Sequence, residues 1–185
     1  MSRSRELASA RRLGSSPRGR ANPFYLTDTL LLVVSHELFV RRAYDLAVSA
    51  AMKGNHPFGA VLVHGGEVVL MAENTVKTSG DQTRHAELNL VTEAQRSYPR
   101  QYIVECTLYT STAPCPMCAY AIWEAGITRV VYGVTYEAFA RVVTGGAPFI
   151  PIEEIYRLLR TPAEIEGGVM EEEGVRVYAH WPKNR

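Results

Sequence analysis

The sequence is poor in cysteine, in net charge and in long apolar runs. Its 185 residues include only three cysteines, too few for the disulfide framework of a small secreted protein. Apolar runs such as residues 30–34 are far shorter than the roughly 18 residues that a membrane span needs. With 46% apolar residues, the chain can still bury a substantial core. We therefore expect one globular domain in the cytoplasm, without membrane association.

The small net charge is unevenly distributed. Residues 1–34 contain six arginines and two acidic residues, a net charge of +4, so residues 35–185 carry −3 of the total of +1. An acidic body argues against a large nucleic-acid-binding face. The Arg-, Ser- and Gly-rich composition of residues 1–34 cannot build a core. We expect these residues to be a disordered arm, a transit-type presequence or an over-extended start, followed by the functional domain at residues 35–185.

Hydrophobic periodicity predicts alternating helices and strands after Ser35, which is a plausible N-cap for the first helix. Gly65-Gly66 joins the first two strands as a hairpin turn. Residues 169–181 are ambiguous, because they alternate like a strand but also carry acidic residues suited to the first turn of a helix. The order of elements suggests a mixed sheet with helices on both faces. Strands are expected at residues 59–64, 67–72, 106–110 and 128–132, and further helices from residue 85, at 115–124 and at 152–159.

Two of the predicted helices begin with residues that bind zinc in many proteins. His85 opens one helix, and Cys115 and Cys118 lie in the first turn of the other. Zinc prefers nitrogen and sulfur ligands, and three protein ligands with one open position are typical of a catalytic site. A lone C-x-x-C could also be a redox dithiol or half of a structural zinc site, but the latter needs a second pair downstream, where only His180 is available.

Glu87 follows His85 by two residues, so it lies in the first turn of the same helix. That spacing lets its carboxylate reach a zinc-bound water without being a ligand. The metal would bring the pKa of this water towards neutrality, and Glu87 could then carry its proton to the substrate. His-x-Glu followed by Pro-Cys-x-x-Cys is the signature of zinc deaminases. Both halves occur here, at residues 85–87 and 114–118.

With these motifs the chain resembles the cytidine and deoxycytidylate deaminase superfamily, and most closely its nucleobase branch. That branch contains guanine deaminases, yeast-type cytosine deaminase and bacterial tRNA adenosine deaminases. The resemblance implies an α/β fold, a three-layer α/β/α sandwich on a five-stranded mixed sheet, with one catalytic Zn²⁺ per chain and usually a homodimer. It covers about residues 36–135, including residues 56–63, 73–74, 85–87, 108–111 and 114–118.

The resemblance also implies contacts with the substrate. Asn74 occupies a position where related deaminases bind the base, and a buried amide there can fix the orientation of a ring. Ala86, Phe58 and Pro114 are the other expected substrate contacts. Many relatives carry Glu directly before Pro-Cys, whereas this chain has Ala113; cytosine deaminases also lack that Glu, so a guanine-specific assignment is weakened.

Aromatic residues near the C-terminus suggest a cover for the substrate. Trp181, Phe149 and Tyr178 could form an aromatic lid that stacks on the base, although packing is the more ordinary use of at least two of these side chains.

Taken together, the sequence predicts hydrolytic deamination of a small nucleobase or nucleoside, guanine-like or cytosine-like, with release of ammonia. The acidic charge of residues 35–185 favours a small substrate over nucleic acid. The alternatives are a tRNA-specific adenosine deaminase and a catalytically silent deaminase-like zinc protein that acts as a partner subunit. Retention of Glu87 speaks against the silent protein, since a structural zinc site has no use for it.

Overall fold

A computed structural model describes residues 23–143 and 149–181, with side chains from His36 onward. Its centre is a five-stranded sheet in the order β2-β1-β3-β4-β5. β1 pairs antiparallel with β2 and β3, while β3, β4 and β5 are mutually parallel, so the sheet is mixed as expected. The strands are β1 (Gly59–His64), β2 (Glu67–Glu73), β3 (Thr107–Thr112), β4 (Arg129–Val134) and β5 (Glu164–Glu166).

The predicted hairpin between β1 and β2 is confirmed. His64 pairs with Glu67, which leaves Gly65-Gly66 as a two-residue turn. Both glycines have positive φ, +58° and +85°, as a type I′ turn requires, and a side chain would be strained at either position.

Helices cover both faces of this sheet. On one face, α1 packs on β1 and β3, with α6 and α8 beside it. On the other face, α3 packs on β1, β2 and α5, and α7 packs on α5. The molecule is therefore the three-layer sandwich that the family resemblance implied. The helices of the described ranges are α1 (Pro23–Met52), α2 (Val76–Ser79), α3 (Ala86–Ser97), α4 (Arg100–Ile103), α5 (Pro116–Glu124), α6 (Tyr136–Val142), α7 (Ile152–Leu158) and α8 (Glu171–Val177), followed by a 3-10 turn (Tyr178–His180).

Two separate apolar clusters hold the layers together, because successive residues of a strand face opposite sides of the sheet. Leu62 and Leu108 are fully buried against α3 and α5. Val61, which precedes Leu62, and Tyr109, which follows Leu108, are buried against α1. Contact between α1 and the sheet is close at Gly59, where a Cβ atom would lie 2.4 Å from the carbonyl oxygen of Ala43.

The first helix begins earlier than the sequence indicated. Ser35 was expected to be its N-cap, but Ser35 lies inside α1, whose backbone is helical from Pro23. Proline is favoured in the first turn of a helix, and the residues that follow it contain no glycine or proline to interrupt the hydrogen-bonding pattern. Of the predicted arm, residues 1–22 lie outside the described residues, and the domain boundary stays a prediction.

The C-terminal region contains elements that the sequence left undefined. α6 and the three-residue strand β5 were not predicted, and the ambiguous residues 169–181 form α8 and the 3-10 turn rather than a strand. Within residues 23–143 and 149–181, no helix combines the length and the apolar character needed to cross a bilayer.

Candidate active site and metal centre

The three predicted metal ligands converge at the start of two helices. His85 is the N-cap of α3, Cys115 is the N-cap of α5, and Cys118 lies in the first turn of α5. His85 Nδ1 is 3.6 Å from the Sγ atom of each cysteine. All three ligand atoms lie within 4.8 Å of one another. One nitrogen and two sulfur donors at these separations fit a zinc ion between them.

Local sequence explains why α5 begins where it does. The strand β3 ends at Thr112, and Pro114 and Pro116 flank Cys115. Pro116 occupies the first helical position, where proline needs no hydrogen-bond donor and its fixed φ suits the helix. Cys115 is thereby held at a helix N-terminus, whose partial positive charge favours a thiolate.

The electrostatics of the two thiols differ. The neighbouring Cys118 thiol, followed in importance by His85, stabilises the Cys115 thiolate and lowers the pKa of Cys115 to about 4. Conversely, the hydrogen bond between the two thiols, together with burial, raises the pKa of Cys118. The hydrogen bond with Cys115 also raises the pKa of His85. A divalent cation bound here would displace the proton that the two sulfurs share, so we expect metal binding to release protons.

Glu87 lies beside the ligands without belonging to them. Its side chain is buried, with 5% of its surface exposed, and it is not part of the cluster of ligand atoms. Burial is the main reason that the pKa of Glu87 is raised. Thr110 of β3 donates a hydrogen bond from Oγ1 to Glu87 Oε1 at 3.0 Å. A buried carboxyl group with a raised pKa next to a metal site is suited to accept and return a proton.

Asn74 presents an unpaired hydrogen-bond donor. The residue is fully buried just after β2, and its Oδ1 accepts a hydrogen bond from the backbone N–H of Val76 at 3.1 Å. Its Nδ2 is the one buried side-chain nitrogen or oxygen without a partner among the described residues. An unpaired buried donor is costly, which is why such groups are found where a ligand completes the hydrogen bond.

Two further asparagines hold the segment that carries Asn74. Asn55 Oδ1 accepts hydrogen bonds from Lys77 N at 3.0 Å and Thr78 N at 2.9 Å, at the start of α2. Asn89, on the same helix as Glu87, donates from Nδ2 to the carbonyl oxygen of Glu73 at 2.9 Å. Neither asparagine was identified from the sequence. Their only signal there was their residue type, which is ordinary in polar loops.

The other predicted substrate contacts lie around the same centre. Ala86 is the buried first residue of α3, and Pro114 is buried directly before Cys115. Phe58 precedes β1, and its carbonyl oxygen accepts a hydrogen bond from Asn74 N at 3.0 Å. Ala86 and Pro114 thus adjoin the ligands His85 and Cys115 in the chain, while Phe58 and Asn74 are joined by a hydrogen bond at the neighbouring ends of β1 and β2.

An aromatic cluster from the C-terminus packs on Phe58. Trp181 makes an edge contact with Phe58 at a centroid distance of 5.7 Å and stacks on His56 at 5.1 Å. Tyr178 packs on Phe58 at 6.4 Å. Phe149, the third predicted lid residue, instead stacks on Tyr136 at 3.9 Å. Phe139 of α6 completes the cluster, and the sequence analysis missed it because it missed α6.

The Thr112 side chain joins this cluster to the metal-binding segment. Its hydroxyl is 2.6 Å from the Tyr178 hydroxyl, and both groups are buried. Thr112, one position before the Ala113 that departs from many relatives, therefore contacts the C-terminal region rather than solvent.

A cavity of about 780 Å³ lies elsewhere, lined by His36, Phe39, Tyr109 and Arg129, among others. Phe39 and Tyr109 belong to the α1 face of the sheet, opposite the face covered by α3 and α5. The cluster of metal ligands, rather than this cavity, therefore defines the candidate active site.

Comparison with known proteins places this site in a family. The model of the cytidine and deoxycytidylate deaminase zinc-binding region matches residues 33–134, more than half of the chain. The chain belongs to the cytidine and deoxycytidylate deaminase family. The matched region binds zinc, and the histidine and two cysteines that the fold brings together lie within it as the residues that can hold the ion.

Relatives in the deaminase family carry several substrate names. The chain is 33% identical to a probable cytosine deaminase of Schizosaccharomyces pombe, over 74% of this chain and 86% of the relative. It is 38% identical to the guanine deaminase of Bacillus subtilis, over 56% of this chain and 67% of the relative. A solved structure from a study of A-to-I editing by tRNA:A34 deaminases superposes with a TM-score of 0.60 at 29% identity, covering 75% of this chain and 97% of that one.

Proposed function

We propose that this protein is a zinc-dependent enzyme that hydrolytically deaminates a small nucleobase or nucleoside, guanine-like or cytosine-like. The observation that carries the proposal is the buried carboxyl group of Glu87 beside a cluster of three metal ligands, to which the part of the chain that the structure describes adds no fourth. Three protein ligands leave one position of a tetrahedral metal free for water, which a purely structural site does not need. Family membership and the cytosine and guanine deaminase relatives support the same reaction.

His85, Cys115 and Cys118 would hold the zinc ion. When bound, zinc supplies the acidification of a water molecule and polarisation of the reacting centre. Glu87 would take one proton of the attacking water at its carboxylate and pass it to the ring nitrogen, then take the second proton of that water and pass it to the amine, which leaves as ammonia. Its burial excludes competing water and raises its pKa, which suits a group that has to gain and lose a proton in each cycle.

Asn74 would orient the base. Because its oxygen is already bonded to the Val76 backbone N–H, the amide offers a donor rather than an acceptor to the substrate. The substrate atom that faces Asn74 Nδ2 should therefore be a carbonyl oxygen or an unprotonated ring nitrogen. The apolar walls would come from Phe58, Ala86 and Pro114.

The direct test is an ammonia-release screen of the zinc-loaded protein on guanine, cytosine, adenine and their nucleosides, with 2,6-diaminopurine as a further heterocycle. We expect turnover of at least one free base or nucleoside by the wild-type protein and none by the Glu87→Gln variant. Equal ammonia release by the two proteins would exclude the proposed role of Glu87. No release from any compound would contradict the proposed substrate class.

A second candidate function is deamination of adenosine in tRNA. It is supported by the superposition on a chain from the study of tRNA:A34 deaminases, of which 97% is covered. Such an enzyme extrudes the base into the same pocket. The net charge of −3 over residues 35–185 favours the small substrate. A gel-shift titration with an anticodon stem-loop at low and at physiological salt separates the two, because phosphate contacts weaken steeply as salt rises. A salt-sensitive shift together with inosine formation would establish the tRNA substrate instead.

A further inference from the structure

The Glu87 side chain has three rotatable bonds, and its helix fixes only its backbone. Such a side chain takes one conformation only when a second element contacts its end. Among the described residues, two side chains contact the Glu87 carboxyl group: Cys118, one of the metal ligands, and Thr110, which lies on β3 and is fully buried. A bound metal ion would engage Cys118, which leaves Thr110 as the partner outside the ligand cluster. Its Oγ1 is 3.0 Å from Glu87 Oε1, a normal hydrogen-bond length.

Thr110 is well suited to hold that carboxyl group. A β-branched side chain has restricted rotation about χ1, and Thr110 lies on a strand that is paired on both sides, with β1 and with β4. Its single hydroxyl hydrogen can point to Glu87 Oε1 at 3.0 Å or to the carbonyl oxygen of Gly59 at 3.4 Å. The shorter distance and the stronger, charge-assisted bond to a carboxylate both favour Glu87.

We propose that Thr110 is a positioning residue of the deaminase reaction, whose hydroxyl fixes the orientation of the Glu87 carboxyl group. The reaction itself rests on the proposed function, while the contact between the two side chains does not. A hydroxyl both donates and accepts hydrogen bonds, so it keeps contact with a group that alternately receives and releases a proton. A methyl group of the same shape would fill the same space without holding the carboxyl oxygen.

The chain offers a matched control one residue further along β3. Ser111 is also buried, at 2% exposure, and its Oγ accepts a hydrogen bond from Gly59 N at 3.2 Å. Ser111→Ala therefore removes one buried hydroxyl and one hydrogen bond, as Thr110→Val does at the neighbouring position, but it leaves the contact with Glu87 intact. A purely structural effect should be similar in the two variants.

The experiment compares zinc-loaded wild type, Thr110→Val, Thr110→Ser and Ser111→Ala in the ammonia-release assay, using whichever of guanine and cytosine the wild type turns over. We expect Thr110→Val to lower kcat by about 10- to 100-fold, the usual cost of losing a group that orients a catalytic residue. KM should change little, because Glu87 moves protons rather than gripping the base. Thr110→Ser should restore most of the lost kcat, and Ser111→Ala should keep a kcat close to that of the wild type. Zinc content should stay at one per chain throughout.

Crystal structures of the same four proteins provide a readout that needs no substrate. In Thr110→Val the Glu87 carboxyl group should leave its position or become disordered, whereas in Thr110→Ser and Ser111→Ala it should stay. If valine does not pack, Thr110→Ala repeats the comparison. An unmoved Glu87 carboxyl group without the Thr110 hydroxyl would overturn the inference, as would an unchanged kcat. Absence of turnover by the wild type would count against the proposed function only, because the crystal structures would still decide the role of Thr110.

Discussion

Replacing Asn74 by alanine should separate stability from activity, and Asn55→Ala is its matched control. Both asparagines are buried, with at most 1% of their surface exposed. The Asn74 side chain accepts one hydrogen bond, from Val76 N, and has an unpaired Nδ2. Asn55 Oδ1 accepts three hydrogen bonds, from Lys77 N, Thr78 N and Thr78 Oγ1.

The magnitudes follow from these contacts. Removing Asn74 loses one hydrogen bond, worth about 1 kcal/mol, but also removes an unpaired buried donor that costs about 1–3 kcal/mol. The free energy of unfolding should therefore stay within about 2 kcal/mol of the wild-type value. Removing Asn55 loses three bonds at about 1 kcal/mol each, without such an offset, so this variant should lose about 2–3 kcal/mol.

Activity should show the opposite order. The substrate supplies the missing partner of Asn74, so Asn74→Ala should lower kcat/KM by roughly 10- to 100-fold, the equivalent of one well-placed hydrogen bond. Asn55→Ala should retain more activity than Asn74→Ala at a temperature where both variants are folded. Urea denaturation and ammonia release measure the two quantities. The reasoning is refuted if Asn74→Ala unfolds as easily as Asn55→Ala or keeps its full kcat/KM.

Three other outcomes can be measured. Glu87→Gln should retain about one zinc per chain by elemental analysis while ammonia release falls by at least about 100-fold, because proton transfer by a positioned group contributes that much; loss of zinc would make Glu87 a ligand. Cys118→Ser should lose zinc and thermal stability together, since metal binding and folding are coupled, whereas Cys106→Ser, at a buried cysteine outside the ligand cluster, should keep its zinc. Burial, with the nearby charges of Lys77 and His85, lowers the pKa of His56 below 6.5. The folded state therefore resists protonation of His56, and the stability that the neutral ring contributes above about pH 6.5 is lost as the pH falls through the lowered value. His56→Gln should accordingly lose less stability than the wild type between pH 7.5 and pH 5.5; equal losses would show that another group is responsible.

The metal site was the most predictable part of the molecule. His85, Cys115 and Cys118 each stand at the start of a helix, and helix starts are visible locally in proline positions and apolar periodicity. The packing of α3 on α5 brings the two helix starts together, and the deaminase signature is what predicted it. The hairpin at Gly65-Gly66 was equally local, since two-residue turns need positive φ. Sequence spacing therefore sufficed for the hairpin and the helix starts, whereas the joint metal site rested on the deaminase signature, which the family match supports.

Features that depend on distant segments were not predictable in this way. β5 has only three residues and owes its existence to pairing with β4, and α6 is a short helix with little periodicity of its own. Ser35 has the residue type of an N-cap, yet no local signal showed that helical backbone already precedes it. Short elements are decided by what they pack against, and packing partners far along the chain leave no pattern within the element itself.

The sequence by itself determined which atoms could bind zinc and which carboxyl group lay beside them, because these residues are neighbours within two helix starts. Only the tertiary structure decided how the site is completed. Thr110 reaches Glu87 across 23 positions of the chain, and Thr112 reaches Tyr178 across 66. The free donor of Asn74 likewise becomes evident only when burial and the Val76 contact are both known. Hydrogen bonds between side chains of distant elements depend on the packing of the whole domain, which residue spacing does not encode.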